Sequence, residues 1–292
     1  HKRKKTKIVA TLGPAVSGKE MLLDLVATGV NVFRINFSHA DYKNVENNIK
    51  NIRAINKEHG YNVAVLADLQ GPKLRVGVMR DNVIVSPGEE IIFATGAQFE
   101  GTKDRVFMTY KRFPMDAKAG EKILLDDGKL IFEVVSTNKI NEVRARVVQG
   151  GPLKSKKGVN LPNTNISQPA LTEKDKKDAL FAIKQEVDWI ALSFVRSPED
   201  VKELEAIITE HSVYKIPIIA KIEKPEAVAN IDAIVKNCDG LMVARGDLGV
   251  EIPANEVPLI QKKLVLKAKS ARSPVIIATQ MMESMIDSLT PT

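Results

Sequence analysis

Cysteine is almost absent from this sequence: Cys238 is the only one in 292 residues. No internal disulfide can form, so the fold is held by burial alone, and a reducing, cytoplasmic compartment is expected. Long apolar runs are missing too. No stretch reaches the roughly 18 apolar residues of a membrane-spanning helix, so no membrane partner is expected. The opening His1-Lys2-Arg3-Lys4-Lys5 has no apolar segment behind it long enough for a secretory signal, and no initiator Met precedes it. Aromatic residues make up only 5%, and no recognition-helix, zinc or RNA-binding signature is present. The net charge of +7 is therefore not read as a nucleic-acid footprint. The basic residues are largely dispersed, apart from the N-terminus and Lys154-Ser155-Lys156-Lys157, and small phosphorylated substrates account for them equally well. Neither a Walker phosphate loop nor a dinucleotide fingerprint occurs, so any nucleotide is held in another way.

What the sequence does contain is a βα rhythm. Apolar, β-branched runs predict strands at Lys7–Thr11, Asn31–Phe37, Asn62–Leu69, Trp189–Val195, Ile216–Ile222, Gly240–Arg245 and Pro274–Thr279. Helical patterns lie between them, at Glu20–Thr28, Asp41–His59, from Thr172 towards Glu186, after Ser197, at Pro225–Asn237 and at Asn255–Ala271. Thr172-Glu-Lys-Asp175 has the form of a capping box, and Ser197-Pro198 that of an N-cap followed by a first helical residue. From about Pro72 to Pro169 the helical period vanishes. Alternating strands and the turn signals Asp81-Asn82, Pro87-Gly88, Asp126-Asp127-Gly128 and Gly150-Gly151-Pro152 replace it. The expected fold is an α/β (β/α)8 TIM-type barrel carrying a small all-β lid inserted after the third strand. The expected division is residues 1–71 and 170–292 in the barrel and 72–169 in the insertion. Seven barrel strands are counted where eight close a barrel, so the chain is expected to be a truncated piece.

Active sites of such barrels lie at the C-terminal strand ends. Here those ends read Thr11-Leu-Gly13-Pro14, Arg34-Ile-Asn36-Phe-Ser38-His39, Asp68, Ser193-Phe194, Lys221-Ile-Glu223, Arg245-Gly-Asp247 and Thr279-Gln280. One such group is an ordinary loop cap; a convergent set at one mouth points to chemistry. Glu223 and Asp247 are hard oxygen ligands on successive strands, suited to one Mg2+ that keeps waters or substrate oxygens. Lys221 lies two residues before Glu223, hence on the same strand face, where an ammonium stabilises an enolate or a transferring phosphoryl group. Its simpler reading is an ion-pair partner for Glu223 or Asp247. Arg34, Arg75 and the Lys156-Lys157 pair offer phosphate contacts, although solvation is the preferred reading for Lys156. His39 reads as a packed or capped histidine rather than an acid or base.

Thr6–Pro14, Val32–His39, Lys156–Pro162, Ala220–Glu223, Leu241–Pro253 and Ala278–Met281 together resemble the pyruvate kinase pattern, in the family's order and across the whole chain. The resemblance implies phosphoryl transfer from phosphoenolpyruvate to ADP in glycolysis, giving pyruvate and ATP. It implies Mg2+ on Glu223 and Asp247, with Mn2+ as a substitute, and a second Mg2+ with the nucleotide. Lys221, Thr279 and Arg34 are the implied catalytic residues, Thr279 near the enolate methylene. The backbone around Ala244, Arg245, Gly246 and Asp247 would receive the substrate carboxylate. Pro14, Asn36, His39, Arg75 and Lys157 would contact nucleotide, and Asn36, Ser38, Asp68 and Leu69 would line a monovalent-cation pocket. A homotetramer is implied for the full-length protein. One departure is informative: Asp68-Leu69-Gln70-Gly71-Pro72-Lys73 lacks the Thr and Glu of potassium-dependent members. K+ is therefore expected to be dispensable, with the Lys73 ammonium taking its place beside Asp68. Two other readings of the same residues stay open. One is a Mg2+-dependent barrel cleaving oxo-acids, which needs no insertion. The other is a ligand-binding piece that cannot turn over.

Overall fold

The computed structural model describes residues 6–13 and 18–278. Each apolar run becomes a strand: β1 (Ile8–Leu12), β2 (Val30–Asn36), β3 (Ala64–Asp68), β4 (Trp189–Leu192), β5 (Ile218–Ile222), β6 (Gly240–Ala244) and β7 (Val275–Ala278). They pair in parallel, in sequence order, as one seven-stranded sheet. This is the barrel-type α/β architecture expected. All five residues of β5 and of β6 are buried, as strands covered on both faces require, and Lys221 is the one charged residue among them. β1 and β7 are partly exposed because they are the two end strands of the sheet.

Helices cover the outside: α1 (Lys19–Thr28), α2 (Tyr42–His59), α3 (Glu173–Lys184), α4 (Pro198–His211), α5 (Pro225–Ala229), α6 (Ile231–Asn237), α7 (Arg245–Glu251) and α8 (Val257–Ser270). α2 buries Val45, Ile49, Ile52 and Ile55 along one face and starts on Asp41, whose carboxylate accepts from Lys43 N and Asn44 N. The Thr172–Asp175 capping box forms in full at α3. Ser197 occupies the cap position of α4 in extended backbone but makes no side-chain cap bond. Two differences from expectation have local causes. The helix expected across Pro225–Asn237 breaks at Asn230, whose side chain donates to Arg196 O at 2.9 Å instead of sitting passively in a helix. α7 follows β6 without a loop, and its Gly246 and Gly249 hide it from any propensity reading. No helix among the described residues is long and apolar enough to cross a membrane.

Between β3 and α3 the chain builds a separate six-stranded sheet. Its order is Val159–Asn160, Lys122–Leu125, Leu130–Thr137, Glu142–Gln149, Glu90–Ala94 and Arg105–Phe107. All its neighbours are antiparallel except the last pair. Asp126, Asp127 and Gly128 turn between two of these strands with φ of 51°, 56° and 84°, which short polar residues and glycine tolerate. This sheet has its own core, in which Phe93 meets Phe113 and Phe132 edge-on. Each such buried phenylalanine contributes about 1.5–3 kcal/mol of apolar transfer free energy.

Candidate active site

The barrel interior carries an apolar layer of Leu66, Ala191, Ile219 and Met242, flanked by Val32 and Ile276. Strand side chains repeat with period two, so the residue two places further along points into the same space. Those residues are Asp68, Ser193, Lys221, Ala244, Arg34 and Ala278. Four of these six, Arg34, Asp68, Ser193 and Lys221, are polar, so a largely polar layer sits above an apolar one, and Glu223 lies one step higher still.

The polar layer is one bonded network. Asp68, 1% exposed, receives Arg34 Nε at 2.6 Å and Lys221 Nζ at 3.1 and 3.2 Å on its two oxygens. Arg34 also donates to Thr11 Oγ1 at 3.1 Å. Lys221 Nζ donates to Ser193 Oγ at 3.0 Å and stands 3.1 Å from Glu223 Oε1. That last contact is an ion pair out of hydrogen-bond alignment, so among the described residues Glu223 Oε1 is buried without a hydrogen-bond partner. Burial works against charging Lys221, but the carboxylates of Glu223 and Asp68 outweigh it and hold the ammonium above its ordinary pKa. Glu223 is pushed up to about 7, first by burial and then by Asp247 and Asp68, against the pull of Lys221. Two cationic side chains thus face three carboxylates, and one buried carboxylate oxygen lacks a partner. A divalent cation fits that imbalance, and Glu223 with Asp247 are the hard donors available to it. Among the described residues no cluster of three or more His, Cys, Asp or Glu would complete a closed cage.

Asp247 is in the first turn of α7, whose N-cap is Ala244, so the amides of Arg245, Gly246 and Asp247 are the ones left free of intrahelical partners at the mouth. A solvent-open cleft there is lined by Thr11, Arg34, Lys221, Ala244, Gly246 and Asp247, together with Asp127 from the insertion. Among the described residues Arg245 Nε is also buried without a hydrogen-bond partner, as is Glu251 Oε1. The chain leaves the barrel at Gly71, where φ is +75° and an added Cβ would stand 2.7 Å from Ser193 Cβ. Glycine is required there.

The expected nucleotide and cation residues fall into separate places. Asn36 accepts from Ser38 N at 3.1 Å and, with His39, lines a groove along α2. Arg75 and Lys157 lie in the insertion, where Arg75 donates to Lys156 O at 3.0 Å and Lys157 stands 3.7 Å from Asp126. Neither lines that groove. Leu69 turns its side chain into the core, and its carbonyl accepts from Ser193 Oγ at 2.6 Å. Lys73 requires a correction. The salt bridges to Asp68 come from Arg34 and Lys221. The turn at Gly71-Pro72 instead carries Lys73 into a second cleft with Asp127, Asn160, Arg196 and Lys224, its Cε beside Gly158. Pro14 and Thr279 lie outside the described residues. Sequence reasoning gave no role to Ser193, although its position at a strand end was visible. Nor did it assign Asp127, which reads as a turn residue like its neighbour.

Comparison with known proteins gives one consistent family. A family model described as pyruvate kinase, barrel domain, matches residues 3–292. The chain is 50% identical over 289 residues to a pyruvate kinase of Corynebacterium efficiens, covering 99% of this chain and 60% of that protein. It is 47% identical over 287 residues to one of Mycobacterium tuberculosis, covering 98% and 60%. It is 46% identical over 292 residues to one of Geobacillus stearothermophilus, covering 99% and 50%. A crystal structure of a pyruvate kinase from Cryptosporidium parvum superposes with a TM-score of 0.91 at 35% identity, over 99% of this chain and 60% of that one. The chain thus spans about 60% of the length of the first of these relatives.

Proposed function

The chain belongs to the pyruvate kinase barrel-domain family, and from that premise we propose that the protein transfers the phosphoryl group of phosphoenolpyruvate to ADP, yielding pyruvate and ATP in glycolysis. The observation that carries the reading is the buried, unpartnered Glu223 Oε1 next to Lys221, with Asp247 opening the following helix. Mg2+ on Glu223 and Asp247, or Mn2+ in its place, would supply positive charge to substrate oxygens. Lys221 stabilises charge on the moving phosphoryl group and on the departing enolate. Asp68 and Ser193 hold its ammonium still, so little reorganisation is needed during reaction. Arg34, fixed by Asp68 and Thr11, grips the phosphate. The α7 amides receive the substrate carboxylate. An oxygen of the ADP β-phosphate attacks phosphorus, the bond to the enol oxygen breaks, and the enolate takes a water-linked proton at its methylene carbon beside Thr279. Asn36, His39 and Pro14 from the barrel, and Arg75 and Lys157 from the insertion acting as a lid, contact nucleotide.

Pyruvate formation from phosphoenolpyruvate and ADP with Mg2+ tests this. Turnover that Lys221→Met reduces about a thousandfold is expected; equal rates in the two proteins would sink the assignment. We also propose that added K+ is dispensable, because Leu69 offers no side-chain oxygen to a cation and Arg34 and Lys221 already place positive charge on Asp68. Strong stimulation of the wild type by K+ would overturn that. A cytoplasmic homotetramer is the proposed assembly of the full-length protein, supported by Leu259 and Leu266 standing 71% and 55% exposed on α8.

A further inference from the structure

The β2–α2 connection carries Ser38 and His39, and both its ends are tied to a helix more than 130 residues away in sequence. At its start, Lys174 Nζ from the first turn of α3 donates to Phe37 O at 2.6 Å. At its end, Tyr42, the first residue of α2, donates its hydroxyl to Asp178 Oδ1 at 2.6 Å. Asp178 is 3% exposed, and its other oxygen takes Lys174 Nζ at 2.6 Å. One buried carboxylate therefore joins the two anchors, and only residues 38–41 lie between them. Ring packing reinforces the clamp. Tyr42 stacks on Phe181 of α3 at 4.0 Å with planes 9° apart, and Phe37 meets the same ring edge-on at 6.2 Å. Burial first, then the Asp178 hydrogen bond and charge, pushes the Tyr42 pKa upward, so the hydroxyl stays a donor. The barrel sheet holds the same segment from its other side, through Phe37 N to Asp68 O at 3.0 Å.

A barrel needs no such device for stability alone. A buried acid fixed by two donors is at best neutral against an apolar replacement. What the device achieves is position: an otherwise solvated connection is fixed beside the groove that Asn36, His39, Asn44 and Asn48 line. We propose that Lys174, Asp178 and Tyr42 are positioning residues, which set the Ser38–His39 segment from α3 for the nucleotide side of the site. The inference rests on the phosphoryl-transfer reading, in which that groove takes nucleotide. Asp175 adds a link: it accepts from Gly71 N and Thr172 N, both at 3.0 Å, so the same helical turn also anchors the point where the chain enters the insertion.

The test is binding of MgADP and of phosphoenolpyruvate to the full chain by titration calorimetry, for wild type, Tyr42→Phe, Lys174→Met and Lys174→Arg. Backbone amide exchange at Ser38 and His39 is followed in parallel. Tyr42→Phe and Lys174→Met should each weaken MgADP about five- to tenfold, the scale of one ordering hydrogen bond, and leave phosphoenolpyruvate within about twofold. Exchange at Ser38 and His39 should quicken, Lys174→Arg should restore most of the loss, and the double variant should fall short of the product of the singles. Unchanged MgADP affinity with unchanged exchange would overturn the proposal. So would an equal loss of both ligands that tracks a fall in melting temperature. A wild-type chain that binds neither probe would overturn the functional reading, and the exchange rates alone would then decide whether the segment is held as described.

Discussion

The barrel mouth and the inserted sheet use the same charged residue types in opposite ways. At the mouth, Asp68, Glu223 and Lys221 are nearly inaccessible and bonded into one network. In the insertion, Arg105–Glu142 and Arg144–Glu90 pair at 2.7 and 3.1 Å on the surface, with side chains 35–50% exposed. The insertion is held instead by a phenylalanine-centred core. The contrast separates two energetic regimes. Exposed pairs are worth about 0–1 kcal/mol each, whereas breaking a buried pair strands a charge at about 3–5 kcal/mol. A fold has no stability reason to concentrate charge where charge is most expensive. That is why the mouth reads as a site and the insertion, taken alone, as a scaffold.

The sharpest break of this contrast is Lys221→Met. Besides the loss of turnover, it leaves Glu223 buried without its ion-pair partner, and we expect a stability loss of about 3 kcal/mol in metal-free buffer, measured by urea unfolding. Mg2+ should recover part of that loss by binding Glu223 and Asp247. A variant as stable as wild type without metal would mean the pair is not desolvated as the geometry says. Next comes Phe93→Ala, in a side chain 0% exposed between two other rings. A cost of about 3–5 kcal/mol is expected from the cavity and the lost transfer energy. If the two cores are independent, the early transition belongs to the insertion while the barrel unfolds where it did before. One transition shifted as a whole would show the cores to be coupled.

How far this was legible in the sequence depended on range. The strand ends that place Lys221, Asp68 and Glu223 followed from runs of apolar residues and a period of two, both local signals. The Thr172–Asp175 cap was equally local. Lys73 was placed wrongly because its direction depends on the positive φ of Gly71, which the residue permits but does not announce. α7 was invisible because two glycines argue against a helix that β6 and the fold impose. Tyr42 and Asp178 touch across 136 residues, and no periodicity carries such a contact. Local chemistry could be read directly; its long-range support could not.

The smallest effect sharpens the comparison from its other end. Arg105 pairs with Glu142 at 2.7 Å and also lies over the Phe99 ring at 5.5 Å from the centroid. Its two partners draw on different physics. The ion pair is screened by salt and costs side-chain entropy, while the ring contact retains packing that salt does not remove. A double-mutant cycle of Arg105→Met with Glu142→Gln should therefore give a coupling of about 0.2–1 kcal/mol at low salt and nearly nothing at 1 M salt. Arg105→Met alone should retain a small salt-independent penalty. A coupling above about 2 kcal/mol that survives high salt would place this pair in the same regime as Lys221 and its carboxylates. Cost of burial would then no longer distinguish the mouth from the insertion, and only the buried Glu223 would still set the mouth apart.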